Sequence, residues 1–504
     1  MDFFANMITG FSVALEPMNL AFCFIGVFIG TLIGVLPGIG PVGTMAILLP
    51  VTYGISPTTA IIMLSGIYYG AQYGGSTTSI LVGIPGEAAS VITTIDGYQM
   101  ALQGRAGPAL GIAAFGSFIA GTIGIVGLQL LAPPLVSVAL RFGPPEYFSL
   151  MILGLVILTY LAQKSMAKAL MMAGVGIFIG TIGLDTMTGM PRFTMGIPEL
   201  LDGIGIAPLA MGLFGISEIL LNVEHRIKHE IVTTELKHLL PSRKDWGEAI
   251  GPILRSSVVG FFLGILPGGG AVLASFVTYG MEKRLSKTPE KFGKGAIAGV
   301  AAPESANNAA AQGAFIPLLT LGIPANVVMG MLLGALMIHN IIPGPMMIKE
   351  HPDLFWGVIA SMYVGNVMLL ILNLPLIGLW VKLLRVPYSI LFPMILFICL
   401  LGGYVINNSV VDLYLMLFFG VAGYLMRKFD YEPAPLVLAY VLSSLLENAL
   451  RQSLILSGGS LAIFVSRPIS AGCLILAMLM LASSILPRIR DRRKMLVEQA
   501  EETA

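Results

Sequence analysis

Hydrophobic positions in this chain come in long runs, not in alternation. Residues 17–86 contain no Asp, Glu, Lys, Arg or His, so this stretch must enter or cross a bilayer more than once. Apolar segments fall at about 18–50, 57–85, 108–140, 146–161, 169–184 and 203–222. After a polar interval they resume at about 251–280, 296–324, 325–343, 354–384, 387–404, 409–426, 433–456 and 468–487. Several exceed the ~20 residues that one crossing needs, which predicts helical hairpins. At the start, Phe4, Met7, Phe11 and Leu15 share a face at helical spacing, predicting an interfacial helix over residues 1–17. That stretch has neither the basic region nor the cleavage site of a signal peptide.

One pattern within the runs occurs twice. Residues 30–41 read GTLIGVLPGIGP and residues 260–271 read GFFLGILPGGGA. In each, a Gly-xxx-Gly ladder climbs an apolar segment and then breaks, at Pro37, Gly38 and Gly40 or at Pro267, Gly268 and Gly270. Proline removes a backbone donor and glycine tolerates almost any dihedral pair, so both helices should stop inside the apolar layer. Such breaks survive in a bilayer where the freed backbone is buried in protein or lines a cavity. Paired breaks point to a transporter's binding site. The repeat continues: Tyr53-Gly54 matches Tyr279-Gly280, and Gly83-Ile84-Pro85, followed by Gly86, matches Gly322-Ile323-Pro324. Composition alone could make membrane segments alike, but the order and spacing of the matches favour duplication.

Charge then sets topology. Only 11% of residues are charged, against 56% apolar, whereas soluble domains carry about 25% charged residues. A net charge of +1 suggests no nucleic-acid surface. Cys23, Cys399 and Cys473 stand alone in apolar segments, which argues against disulfides and cysteine metal sites. Basic residues cluster at 226–244, 283–294 and 488–494, and the positive-inside rule makes all three cytoplasmic. Segment 251–280 then leaves and returns on one side. The counterpart after the first break, Gly54 to Pro57, has no Lys or Arg, so the first half should be inserted the other way up. The reading is an all-α polytopic membrane protein with two homologous, inverted repeats built on broken or re-entrant helices. Its parts are the N-terminal helix 1–17, repeat 1 at 18–222, a cytoplasmic linker at 223–250, repeat 2 at 251–460, a terminal helix at 461–487 and a basic cytoplasmic tail at 488–504.

A polar cluster follows each break. The first, YYGAQYGGSTTSILVGIPGE, holds Tyr73, Gly74, Gly75, Ser76, Thr77, Thr78 and Ser79; the second, APESANNAAAQGAFIPLLTLGIPAN, holds Glu304, Ser305, Asn307 and Asn308. Exposed glycine N–H groups, hydroxyls and a helix beginning at Pro303 could hold an anion. Neutral donors would do so without burying Lys or Arg in hydrocarbon. The plainer alternative is interhelical hydrogen bonding and small-residue packing. Glu304 could bind a cation, carry a proton or cap its helix. Glu87 reads as a solvated interfacial acid, and Tyr69 and Tyr73 suit either a cavity lining or an aromatic belt.

Other chemistries find little support. Gly38 to Gly43 spells GxGxxG, yet the next acid is Glu87, too far on for a dinucleotide site. The sequence has no GxxxxGK[ST], HExxH or GxSxG. His225, His229 and His238 lie in the polar interval, where a solvated loop is expected and no metal site is assigned. An intramembrane enzyme using Ser76 or Glu304 would need a base, and neither cluster contains His. An ion channel would show charge rings or repeated filter sequences.

The two clusters and GVLPGIGP together resemble the large membrane subunit of tripartite tricarboxylate transporters, in order and over essentially the whole chain. The resemblance implies a multi-pass permease of the bacterial inner membrane. It would work with a small membrane subunit and a periplasmic solute-binding protein, importing citrate or other carboxylates on an Na⁺ or H⁺ gradient without a cofactor. It also implies an elevator-type carrier, with the contacts at 73–79 and 304–308 holding substrate and cation, Glu304 taking the cation role. Pro85, Gly86 and Pro324 would join the paired breaks as hinges. Ala325 stands where the first repeat has Gly86, which departs from a matched hinge. A stand-alone cation-coupled carrier needing no binding protein is the alternative.

Overall fold

The structure is a computed structural model that describes residues 3–36, 40–160, 165–185, 187–224, 239–268, 270–383, 388–405 and 407–485. Pro37 and Gly38 of the first break, residues 225–238 of the polar interval and the basic tail lie outside the described residues. Helices account for nearly all of the rest. Among the described residues the only sheet is a two-stranded hairpin pairing Gly183 with Arg192. Six helices are long and apolar enough to cross a membrane: Pro17–Val35, Ala106–Ala139, Arg243–Ile265, Pro352–Asn373, Val410–Lys428 and Pro433–Leu456.

The long apolar runs divide as hairpins. Run 18–50 becomes Pro17–Val35 and Gly40–Thr52, and run 251–280 becomes Arg243–Ile265 and Gly270–Leu285. The second pair starts earlier than its hydrophobicity suggests. Ser242 Oγ accepts the Asp245 N–H at 3.2 Å in a reciprocal capping box, so the helix begins at Arg243 inside the interval read as linker. Tyr53 and Gly54 follow the end of their helix, whereas Tyr279 and Gly280 lie within theirs.

Glycine spacing decides which helices touch. A Cβ at Gly30 would lie 2.5 Å from the Ile67 carbonyl oxygen, and one at Gly70 would lie 2.8 Å from the Val27 oxygen. Helix 17–35 therefore presses its backbone onto helix Pro57–Val82. The second half repeats the device: Cβ atoms at Gly260 and Gly264 would meet Ala306 Cα at 2.6 Å and Ala310 Cα at 2.5 Å, bringing helix 243–265 onto Ala298–Gly313. Close backbone approach of small residues is the expected mode of association where lipid supplies no hydrophobic drive. Helices 57–82 and 298–313 are buried almost throughout, so both can be polar.

Helix 106–139 lies antiparallel to helix 352–373: Asn366 Nδ2 donates to the Phe118 carbonyl at 2.9 Å and Tyr363 O–H to Gln129 Oε1 at 2.9 Å. The starts of helices 106–139, 243–265 and 298–313 gather at one end through Arg105–Asp245 at 2.5 Å and Gln103 Nε2 to the Lys294 carbonyl at 2.8 Å. The starts of helices 17–35 and 57–82 meet through Thr59 Oγ1 and Asn19 Oδ1 at 2.6 Å. The N-terminal helix Phe3–Ala14 packs along helix 352–373, with Phe11 stacked on Tyr363 at 6.1 Å. Helices Pro144–Tyr160, Met166–Gly180, Pro433–Leu456 and Pro468–Ile485 pack together on a flank.

Candidate functional site

The first polar cluster does not form a glycine loop. Residues 73–79 continue helix 57–82, which Ser56 caps by accepting Thr59 N–H at 3.2 Å and which Gly83 ends at φ 72°. Their backbone N–H groups are spent on the helix ladder, so Gly74 and Gly75 offer no anion nest. The two glycines instead admit neighbours: a Cβ at Gly74 would lie 2.9 Å from Val35 N, and one at Gly75 would lie 2.9 Å from Glu87 Cγ. Pro303 likewise falls inside helix 298–313 and does not start it. The Glu304 side chain therefore caps nothing, and the positive end of the helix lies more than a turn away.

What the helices do offer is side chains. Glu304, fully buried, accepts the Ser76 hydroxyl on one oxygen and the Thr93 hydroxyl on the other. Asn307, one turn on, donates Nδ2 to Glu87 Oε1 at 3.1 Å. Asn308 Nδ2 donates to Ser117 Oγ at 2.8 Å and to the Glu304 carbonyl at 3.1 Å. Glu87 is partly buried, and its Oε2 accepts the Ala89 N–H at 2.8 Å. The solvated role read for it from sequence gives way to a bond across the two halves.

The remaining polar residues split away. Tyr73 O–H donates to Asn366 Oδ1 at 2.6 Å, on helix 352–373. Thr78 donates to the Val35 carbonyl at 2.6 Å and Ser79 to the Ser90 carbonyl at 3.1 Å; both tie helix ends together. Thr77 is buried, and the Ser305 hydroxyl is buried without a partner. Sequence reading passed over Thr93, Ser117 and Asn366, which carry no motif of their own.

The two Gly-Ile-Pro turns share one geometry. Gly83 and Gly322 both sit at φ 72°, with ψ 19° and 20°. Four residues on, Glu87 and Asn326 are both extended and cap the next helical turn. Asn326 Nδ2 donates to Tyr68 O–H at 3.1 Å. The sequence separation that relates Gly83 to Gly322 and Glu87 to Asn326 also relates Tyr68 to Asn307. The pairs Asn307–Glu87 and Asn326–Tyr68 are therefore counterparts, one charged and one neutral. At the second break, Gly268 (φ 104°) donates its N–H to the Ala325 carbonyl at 2.8 Å, so Pro267 and Gly268 meet the turn that holds Pro324. Gly40 (φ 64°) and Gly270 (φ 34°) each open the second arm of a hairpin. Gly86 has no room for a side chain, since a Cβ there would lie 2.6 Å from Gly75 Cα.

Other buried acids are held differently. Asp96 accepts N–H groups of Gly293, Gly295 and Ala296 at 2.8–2.9 Å and the Tyr279 hydroxyl at 2.9 Å, latching the first half to the loop that enters helix 298–313. A cavity of about 320 Å³ lies away from the centre, beside Arg192, Asp202, Tyr440 and Glu447.

Buried acids held by neutral donors inside a bundle of membrane-length helices define a multi-pass membrane protein with a polar centre. Residues 20–438 match the Tripartite tricarboxylate transporter TctA family. The chain belongs to that family, whose members are membrane components of tricarboxylate transporters. An uncharacterized 52.8 kDa protein in the TAR-I ttuC' 3'region of Agrobacterium vitis is 52% identical over 500 residues, covering 99% of this chain and 100% of the relative. An uncharacterized protein in the TAR-II ttuC' 3'region of the same organism is 54% identical over 234 residues, covering 46% of this chain and 97% of the relative. No solved structure matches.

Proposed function

We propose that this chain is the large permease subunit of a binding-protein-dependent tripartite system of the bacterial inner membrane, importing citrate or related carboxylates by symport with Na⁺ or H⁺. The observation that carries the reading is Glu304. It comes from the second half, closes on Ser76 and Thr93 of the first, and has no ion pair with Lys, Arg or His among the described residues. An acid held this way favours a mobile counter-charge. Moving each uncompensated charge inward against the membrane potential costs about 2.3 kcal/mol per 100 mV, so a multivalent anion needs co-transported cations. Ser76 and Asn308 are the neutral donors we assign to substrate.

The antiparallel run of helices 106–139 and 352–373 and the matching Gly-Ile-Pro turns support two inverted repeats, 18–222 and 251–460. The gathering of Arg105, Asp245 and Lys294 at one end supports a cytoplasmic side there. On this reading the paired breaks and turns are hinges of an elevator-type movement.

The test is uptake of labelled citrate into proteoliposomes holding this chain and its small membrane partner. The binding protein is added outside, with Na⁺ and proton gradients imposed separately. Uptake that requires the binding protein and follows one gradient is expected. Uptake without it would replace the tripartite reading by a stand-alone carrier, and silence with every carboxylate would remove the substrate assignment.

A further inference from the structure

The contact between Glu87 and Asn307 is incomplete in a specific way. Asn307 is fully buried and uses its Nδ2 on Glu87, yet its Oδ1 has no hydrogen-bond partner. A buried acceptor left empty is costly and calls for a ligand or a water. Two further buried amide oxygens, Gln72 Oε1 on helix 57–82 and Gln312 Oε1 on helix 298–313, are also without a donor among the described residues. The Glu87 carboxyl receives the Ala89 and Ser90 N–H groups and the Asn307 amide, all neutral donors. The Glu87–Asn307 contact thus leaves a buried oxygen acceptor beside a carboxyl group, and among the described residues no Lys, Arg or His pairs with that carboxyl.

Oxygen ligands with a single carboxylate suit a hard monovalent cation; Ca²⁺ gathers six to eight oxygens, commonly with more than one carboxylate. The Asn307 amide has oxygen and nitrogen at nearly the same reach. Turning it by about 180° replaces the Nδ2 donor beside Glu87 with the orphan Oδ1. We infer that Glu87 and Asn307 form an Na⁺-binding site across the two halves, separate from Glu304, in which the Asn307 amide turns to present Oδ1 to the ion. This inference rests on the ion-driven transport reading above. The counterpart pair, Asn326 and Tyr68, has no carboxylate, so the duplication yields one such site and not two.

The experiment is thermal unfolding of the purified full chain, titrated with NaCl against choline chloride at constant ionic strength. A ligand that binds only the folded state raises Tm with its concentration. Wild type should show a saturable rise with Na⁺. Glu87→Gln and Asn307→Ala should each shift the half-saturating Na⁺ concentration upward by at least about tenfold, the loss of one charge-assisted contact. Asn307→Asp retains an oxygen ligand and adds charge, so it should saturate at or below the wild-type concentration; it also serves if the alanine variant does not fold. No Na⁺ response in wild type would overturn the site. So would wild-type saturation in Glu87→Gln or weakened saturation in Asn307→Asp. Carboxylate uptake driven by a proton gradient, with no Na⁺ response, would remove this site and leave the transporter reading intact. A saturable Na⁺ response with no carboxylate uptake would do the reverse.

Discussion

Asp185 and Glu304 are both buried carboxylates, and they are neutralised in opposite ways. At the rim, Arg451 grips Asp185 with two parallel bonds at 2.7 and 2.9 Å and reaches Glu447 at 2.7 Å. Arg192 adds a second bridge to Glu447 at 2.7 Å and lies 3.4 Å from Asp185. Two guanidinium groups thus balance two acids, and the cluster pins the hairpin at 183–192 to helix 433–456. At the centre, Glu304 and Glu87 receive two hydroxyls, one amide and two backbone N–H groups, all neutral. A fixed counter-ion makes a lasting joint, because breaking a buried pair strands a charge. An acid supplied only with neutral donors can exchange its counter-charge, as the proposed symport requires. Glu146 with Arg467 and Glu282 with Arg255 follow the rim pattern.

Removing the central charge should have the largest effect. Glu304→Gln keeps shape but replaces one of the two oxygens that accept Ser76 and Thr93 by an N–H donor, disturbing a hydrogen bond worth roughly 0.5–1.5 kcal/mol. Uptake should fall by about 100-fold with membrane abundance retained, and Ser76→Ala and Asn307→Ala should lower it to a similar extent. Normal transport by all three would dissolve the distinction between centre and rim.

The helix contacts that build the centre come next. Gly264→Leu must force a side chain into the Ala310 backbone, and overpacking of this kind costs about 1–3 kcal/mol or more. Folded protein in the membrane should drop, while Gly174→Ala, with no atom within 4 Å of the new Cβ, should leave it unchanged. Equal losses in both would mean that the ladder is not a packing device.

At the rim the expected signature is pH dependence. Hydrogen bonds from Arg451 hold the Asp185 carboxyl well below the usual carboxylate range. Lowering a pKa on folding contributes stability that is fully present above the unfolded value, about 4, and is lost as pH falls. Arg451→Gln should lower Tm at pH 7 and flatten the acid limb of the Tm curve below about pH 4. An unchanged limb would show that Arg451 does not set that charge.

The smallest effect tests the two turns against each other. Ala325→Gly should cost only about 0.5–1 kcal/mol of backbone entropy and leave transport intact. Gly86→Ala should damage both folding and uptake, since its Cβ has no space beside Gly75. Equal behaviour would show that the turns are interchangeable.

Much of this was legible in the chain. Most apolar runs became helices, because a segment bordered by lipid must satisfy its backbone internally and be apolar along its length; helix Val91–Leu102, which carries Thr93 and Asp96, lies between two runs and had no such signal, and helix Arg243–Ile265 begins before its run. The Leu-Pro-Gly and Gly-Ile-Pro stretches located breaks and turns, because only particular residues adopt those dihedrals. Glu304, Ser76, Asn307 and Asn308 stood out as polar residues in apolar surroundings. What the polar stretches do locally differs from the expectation: the Gly74 and Gly75 N–H groups are spent inside a helix and are not exposed donors, and Pro303 lies inside its helix and does not start it.

Sequence by itself determined that the apolar runs are helical, where they break and which polar groups the apolar layer must hold, since these follow from local propensity and the cost of burial. Only the tertiary structure decided which groups meet. Thr93 completes Glu304 and Glu87 pairs with Asn307, although each pair is separated by some two hundred residues. Those meetings depend on how glycine-faced helices from two halves cross, a geometry that no local pattern encodes.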